Sequence, residues 1–201
     1  MEEKSGLDKL LENLDELGLY PNVSIEDKGT VFSSQNRFSN SKTVIVLLTE
    51  SIYFLARSNV SSVFTGVYSV IELPFEAEYK VYKRNWFDFL LFPKRQKVGV
   101  KYIDENLTII SPKWIPSEEL NLESVNLFLN INNARKPYNL IVENNYLLSV
   151  IKPFTDKKII GIETNDWLCT KEDLVNLLQT GEEVLSNGNL VEQGALEGGR
   201  H

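Results

Sequence analysis

Histidine and cysteine are almost absent from this sequence of 201 residues, and each absence excludes a class of chemistry. The single histidine is the last residue, His201, so no internal histidine can act as a general base, a metal ligand or a member of a catalytic triad. The single cysteine, Cys169, cannot form an internal disulfide or a cysteine-based zinc cluster. The sequence therefore predicts no catalytic residue, no metal site and no cofactor, and it leans towards a protein that is not an enzyme.

Long apolar runs and glycine-rich loops are missing as well. No stretch approaches the roughly 20 apolar residues that a membrane-spanning helix requires. The first residues do not have the pattern of a secretion signal, and the internal glycines are too scattered for a phosphate-binding loop. We therefore expect a cytoplasmic protein without a transmembrane segment.

The length suits one sizeable domain with its own core, which we place at residues 1–193. A weaker division into two halves, at about 1–115 and 116–193, is an open alternative. Residues 194–201 have the composition of an expression-tag remnant. The Gly- and Asn-rich stretch from Ser186 onward predicts a frayed end.

Periodicity predicts strands through most of the chain and helices at three places. Leucines at helical spacing between Ser5 and Gly18, the segment 117–130 and the segment that begins at Thr170 predict helices at the N-terminus, in the middle and at the C-terminus. The segment 23–37 is polar and predicts weak strands and loop. Alternation or short β-rich runs predict strands at 43–48, 51–56, 63–73, 75–82, 97–102, 107–110, 138–142, 146–151 and 159–162. Short connections between strands favour an α+β fold, mainly an antiparallel sheet built from hairpins.

The most unusual segment combines positive charge with aromatic residues. Between Lys80 and Lys101, seven basic residues accompany a single acid, Asp88, and they surround the apolar block 86–92. This segment carries about +6, whereas the whole chain carries −7, so the remaining residues sum to about −13. A cationic rim around aromatic side chains is typical of surfaces that bind lipid headgroups or other anions.

We predict that the basic and aromatic residues of this segment form an interaction surface, which consists of Lys83, Arg84, Trp86, Phe87, Phe89, Phe92, Lys94, Arg95 and Lys97. The leading hypothesis is a non-catalytic binding domain that docks on an anionic membrane surface or on an acidic protein partner, peripheral at the inner face of the membrane. The competing interpretation is that the block 86–92 is buried as a turn of helix at the end of the sheet core.

A pocket between sheet and helices is the alternative to a docking surface. It would make the protein a small-ligand-binding protein, or an enzyme that uses carboxylates and lysine. The acids that occur in pairs are Glu118 with Glu119, Glu163 with Asp166, and Glu172 with Asp173. The first and third pairs lie where helices are predicted to begin, and acids there complement the helix dipole without any catalytic role.

The charge and the strands bear on two further classes of partner, nucleic acid and a second copy of the chain. Nucleic acid is not expected as a partner, because the acidic remainder of the chain would repel a phosphate backbone. Exposed edge strands or the leucine face of the first helix could pair with a second copy, which predicts a homo-oligomer as a third hypothesis.

Overall fold

The computed structural model describes residues 5–28, 39–58, 63–71, 78–91, 95–116, 120–131, 137–144 and 158–197. They form an antiparallel eight-stranded sheet with helices at the N-terminus, in the middle and at the C-terminus, so the predicted α+β class is confirmed. The strands are β1 (Asn22–Lys28), β2 (Ser39–Leu47), β3 (Ile52–Ser58), β4 (Val63–Ile71), β5 (Tyr79–Lys83), β6 (Leu107–Ile110), β7 (Asn139–Asn144) and β8 (Lys158–Thr164). The helices are α1 (Gly6–Glu16), α2 (Asp88–Leu91), α3 (Lys101–Asn106), α4 (Leu122–Ile131) and α5 (Lys171–Glu197).

The strand order brings distant parts of the chain together. It runs β1-β2-β3-β4-β8-β7-β5-β6, and all neighbouring pairs are antiparallel. Strands β1 to β4 follow one another as a meander, and β8 then pairs with β4 in a register that places Tyr68 opposite Gly161. Strands β4, β8, β7 and β5 are therefore consecutive in the sheet. Side chains from these four strands can lie next to one another on the same face. The division of the chain into domains stays a prediction.

Successive side chains of a strand enter two different apolar clusters, one on each face of the sheet. On β8, Ile160 and Ile162 belong to the large core that α1, α4 and α5 cover, while Ile159 joins a smaller cluster with Tyr68 and Ile141. Burial on both faces explains why β8 has a continuous apolar run where a strand with one wet face would alternate.

The predicted starts of the first and last helices are confirmed by their caps. The Ser5 hydroxyl accepts a hydrogen bond from the backbone amide of Asp8, and the Asp8 carboxylate accepts one from the amide of Ser5. At α5, the Thr170 hydroxyl accepts a hydrogen bond of 3.2 Å from the amide of Asp173. Helix α5 continues to Glu197, well past the point where the composition predicts fraying. Among the described residues, no helix is long and apolar enough to cross a membrane.

The predicted strand over 97–102 is wrong, because the chain forms α3 from Lys101 to Asn106. Gly99 has a φ of 79°, which turns the backbone in a way that an extended strand does not allow. The Asp104 carboxylate then accepts hydrogen bonds from the amides of Val98 and Gly99, at 2.9 and 3.1 Å. These bonds stabilise a turn that leads into the helix.

One further prediction differs in extent, and two others fall on residues that the structure does not describe. The polar segment that begins at Val23 forms a regular strand, β1, which pairs with β2 along its whole length. The prediction of loop for the rest of that segment, and the return strand predicted over 146–151, concern residues outside those that the structure describes.

Candidate interaction surface and sheet cleft

Strand β5 leads into a connection, residues 84–106, that contains α2 and α3 before the chain returns as β6. The backbone amide of Arg84 donates a hydrogen bond of 2.8 Å to the carbonyl of Asn106. The Arg84 guanidinium also donates to the carbonyl of Asp104 at 3.2 Å. Because these bonds join the first and last residues of the connection, its two ends are held together next to the sheet.

Asp88, the single acid of the basic segment, is buried beneath this connection. Its side chain is 1% exposed, and Oδ2 accepts hydrogen bonds from the Thr108 hydroxyl at 2.6 Å and from the Asn85 amide at 3.1 Å. The side-chain oxygen of Asn85 accepts a third bond, from the amide of Phe87 at 2.9 Å. These bonds hold the turn 85–88 in shape and keep the acid away from its outer surface.

The aromatic residues within that turn face solvent. Trp86 is 68% exposed and Phe87 is 48% exposed, and their ring centroids lie 3.6 Å apart. Leu90 in α2 is 64% exposed, and Val100 and Tyr102 of the same connection are exposed too. Of the ten large apolar side chains that are largely exposed in the described residues, five lie in this one connection. For Trp86, Phe87 and Leu90, the exposure is contrary to the buried-turn interpretation.

The residues predicted to form an interaction surface fall into three groups. Those that are exposed are Lys83, Trp86, Phe87 and Lys97; those that are half-buried are Arg84 and Arg95. Phe89 lies in α2 but its side chain is not described, and Phe92 and Lys94 lie outside the described residues. We call Lys83, Trp86, Phe87, Leu90 and Lys97 the basic-aromatic surface.

Two lysines at the ends of the basic segment do not add free positive charge to this surface. Lys101 forms an ion pair of 3.9 Å with Glu105, four residues later in α3. Lys80 lies at the start of β5, and its ammonium is 3.0 Å from Oε1 of Glu163 on β8. The unpaired positive charge of this segment is therefore smaller than a count along the sequence indicates. Among its described basic residues, Lys83 and Lys97 are the exposed ones without an ion pair.

Lys80 belongs instead to a cleft of about 240 Å³ between β5, β7, β8 and the segment after β6. Its lining residues are Glu78, Tyr79, Lys80, Ile110, Pro112, Ile141, Val142, Glu143 and Glu163. All of them lie in strands or beside strand ends. The cleft thus differs from the predicted pocket, which would lie between sheet and helices.

Glu163 is the most buried charged group of the cleft and has a partner for each oxygen. Oε1 accepts a hydrogen bond from Lys80, and Oε2 accepts one of 3.1 Å from the Tyr68 hydroxyl. Burial, reinforced by the charge of Glu163, raises the pKa of Tyr68 well above its usual range. The phenol therefore stays protonated and remains a donor to the carboxylate.

Glu143 is half-buried, and its carboxylate makes no hydrogen bond to the described residues. Burial, reinforced by the Glu163 carboxylate, raises the pKa of Glu143 to about 7, although Lys80 opposes the shift. The third acid, Glu78, accepts a hydrogen bond from the side-chain amide of Asn144. Among the described residues of the cleft, Glu143 is therefore an acid without a hydrogen-bond donor, and it is about half ionised at pH 7.

The sequence grouped Glu163 with Asp166 as one of three candidate carboxylate pairs, without a committed role. In the structure the Glu163 carboxylate binds Lys80 and Tyr68. Asp173 lies in the first turn of α5, as expected for an acid at a helix start, and its carboxylate accepts a hydrogen bond of 2.8 Å from the Thr170 hydroxyl. Residues 118 and 119 lie outside the described residues. The alternation of β5 could have marked Lys80 as a residue of the wet face, but no local signal pairs β5 with β7 and β7 with β8.

Comparisons with protein-family models, with curated proteins and with solved structures found no match for this chain. Within the described ranges, no group of three His, Cys, Asp or Glu side chains is arranged to hold a metal ion. Function is therefore inferred from the geometry and charge of the basic-aromatic surface and of the cleft.

Proposed function

We propose that this protein is a non-catalytic interaction domain that docks on an anionic membrane surface through its basic-aromatic surface. The observation that carries the proposal is the opposite placement of neighbouring residues: Trp86 and Phe87 face solvent, while Asp88 is buried. A turn built in this way exposes two apolar rings, buries its only acid and follows the exposed Lys83 at the end of β5.

Aromatic side chains and lysines act together at a membrane surface. Transfer of aromatic rings such as those of Trp86 and Phe87 into the interfacial region of a bilayer lowers the free energy of the system. Each lysine near an anionic surface adds on the order of 1 kcal/mol within about a Debye length. The rest of this acidic chain is repelled by the same surface, so the protein would be oriented with the basic-aromatic surface towards the lipid.

Within this proposal the protein acts in the cytoplasm as a peripheral protein of the inner leaflet, where anionic lipids give the membrane its negative surface potential. An acidic protein partner would use the same lysines and rings. Binding to vesicles that contain no other protein would identify the lipid, and not an acidic protein, as the partner.

The test is co-sedimentation with vesicles of phosphatidylcholine alone and of phosphatidylcholine mixed with phosphatidylserine. We expect binding only to the mixed vesicles, and weaker binding as salt is raised. Trp86→Ala should reduce the bound fraction while changing stability by less than about 1 kcal/mol, since a buried aromatic residue would cost roughly 3 to 5 kcal/mol. The matched control is Trp114→Ala, which removes a tryptophan that is 77% exposed in the segment after β6.

The charge is tested separately with the double variant Lys83→Gln and Lys97→Gln. Its control is Lys9→Gln with Lys171→Gln, which makes the same change in net charge on α1 and α5. We expect the first pair alone to abolish vesicle binding. The membrane proposal would be overturned if the wild-type protein did not bind vesicles that contain phosphatidylserine. It would also be overturned if Trp86→Ala and the Lys83→Gln, Lys97→Gln variant bound these vesicles as well as the wild type.

A further inference from the structure

We propose that the cleft between β5, β7 and β8 binds a small primary alkylammonium, with the Glu143 and Glu163 carboxylates as acceptors and Ile110 and Pro112 as its apolar wall. This ligand site lies at the start of β5 and is independent of the docking surface that follows the end of the same strand.

The first observation is the concave shape of the cleft and the mixture of groups that line it. Its volume of about 240 Å³ approaches the lower end of small-molecule sites, which begin at roughly 300 Å³. Apolar side chains from β6, β7 and the segment after β6 form part of the lining, and the charged residues Glu78, Lys80, Glu143 and Glu163 form another part. This shape and lining suit a ligand with one charged end and a short hydrocarbon chain.

The second observation is the state of each polar group in the cleft. Lys80 and Tyr68 already occupy the two oxygens of Glu163, and the Asn144 amide bonds to Glu78. The Glu143 carboxylate has no donor among the described residues, and Glu163 lines the same cleft. Burial, reinforced by the charge of Glu163, raises the pKa of Glu143. A carboxylate in this position is stabilised by a cation that brings its own hydrogen-bond donors.

An ammonium group fits these acceptors better than a metal ion does. It carries three N–H donors, which can bond to Glu143 and share the outer lone pairs of Glu163. A metal ion would require several ligating side chains around one point, and the described residues contain no such group. The apolar wall would remain unused by a metal ion but would contact the chain of an alkylammonium.

Protonation of Glu143 gives the site a pH dependence with a defined sign. The groups that interact electrostatically with this carboxylate are Glu163 from β8, Lys80 and Glu78 from β5 and its start, and the protonated Tyr68 from β4. The ionised form binds the cation, so proton and ligand compete for Glu143. With its pKa at about 7, the affinity should rise as the pH increases from 6 to 8.

The experiment is a titration of the whole chain with n-butylammonium chloride at pH 6 and pH 8, followed by amide NMR shifts at constant ionic strength. We expect saturable shifts in β5, β7 and β8, with an affinity about tenfold higher at pH 8, because the ionised fraction of a group with a pKa near 7 changes by about that factor. Methylammonium should bind more weakly since it lacks the chain, and sodium chloride should produce no saturable shift.

Glu143→Gln should lower the affinity for n-butylammonium at least tenfold at pH 8 and remove its pH dependence. Glu182→Gln, an exposed residue of α5, is the control and should leave both unchanged. The amide spectrum of each variant verifies its fold. Absence of saturable shifts at pH 8, equal affinities at the two pH values, or unchanged binding by Glu143→Gln would each overturn the proposal, whatever the vesicle experiment shows.

Discussion

The hydroxyl of Tyr68 donates a hydrogen bond of 3.1 Å to the carboxylate of Glu163, although 95 residues separate the two in the sequence. One edge of the Tyr68 ring lies over Gly161, which is directly opposite Tyr68 in the register, and its hydroxyl end lies over Gly66 of β4. A Cβ atom at Gly161 would approach the ring atom Cε1 to 2.7 Å. The absence of a side chain at this position therefore gives the ring room to lie flat on the sheet and reach Glu163.

Gly161→Ala should destabilise the protein by about 1 to 3 kcal/mol, because a buried ring cannot move aside without disturbing the smaller apolar cluster. Urea unfolding followed by circular dichroism measures the change. In a Tyr68→Ala background the same substitution should cost much less, since the clash has been removed. Equal costs in the two backgrounds would show that the ring does not restrict position 161.

The pH dependence of stability should report the position of Glu143. Its pKa in the folded chain is about 7, above the ordinary value of 4.5, so this group favours folding most below pH 4.5 and loses that contribution as the pH rises through 7. We expect the free energy of unfolding to fall by on the order of 1 to 2 kcal/mol between pH 5 and pH 8 from this group, after solvent screening of a half-buried side chain.

Glu143→Gln should remove this part of the pH dependence and make the protein more stable than the wild type at pH 8. Denaturant unfolding at several pH values measures both effects. Glu182→Gln serves as the control and should retain the wild-type slope. A Glu143→Gln variant with the wild-type slope would show that this carboxylate titrates as an ordinary solvated acid.

Asp88 should matter for stability far more than an exposed acid does. Asp88→Ala leaves the Thr108 hydroxyl and the Asn85 amide without their acceptor, which typically costs about 1 to 3 kcal/mol for buried groups. Asp15→Ala, at an exposed position of α1, is the matched control and should change stability by less than about 0.5 kcal/mol. Thermal or urea unfolding compares the two, and an equal effect would contradict the anchoring role of Asp88.

Local patterns in the sequence predicted the elements that depend on local contacts. Ser5 and Thr170 were predicted as helix starts because a cap involves residues only three positions apart. Strands with clear β-rich runs, such as β3 and β8, were also predicted close to their observed bounds. The prediction failed at α3, where alternating apolar residues indicated a strand but the carboxylate of Asp104 holds a turn and the chain continues as helix.

The cleft could not be predicted, because its residues come from β5, β7 and β8 and are joined only by the register of the sheet. A shift of one residue in any of these pairings would turn Lys80, Glu143 or Glu163 to the other face. Self-association through an edge strand such as β1 also depends on contacts beyond a single chain, and it stays a prediction. The leucine face of α1 packs in the chain's own core, with Leu10 and Leu14 fully buried, so it is not exposed to a second copy.

The sequence by itself determined the fold class, the helix caps and the uneven distribution of charge, since these follow from periodicity, from contacts over three or four residues and from composition. Tertiary structure alone decided that Asp88 is buried while Trp86 and Phe87 are exposed, and that Lys80 pairs with Glu163. The physical reason is that burial and ion pairing depend on which strands become neighbours. Sheet pairing joins residues that are more than 80 positions apart, and no local pattern records it.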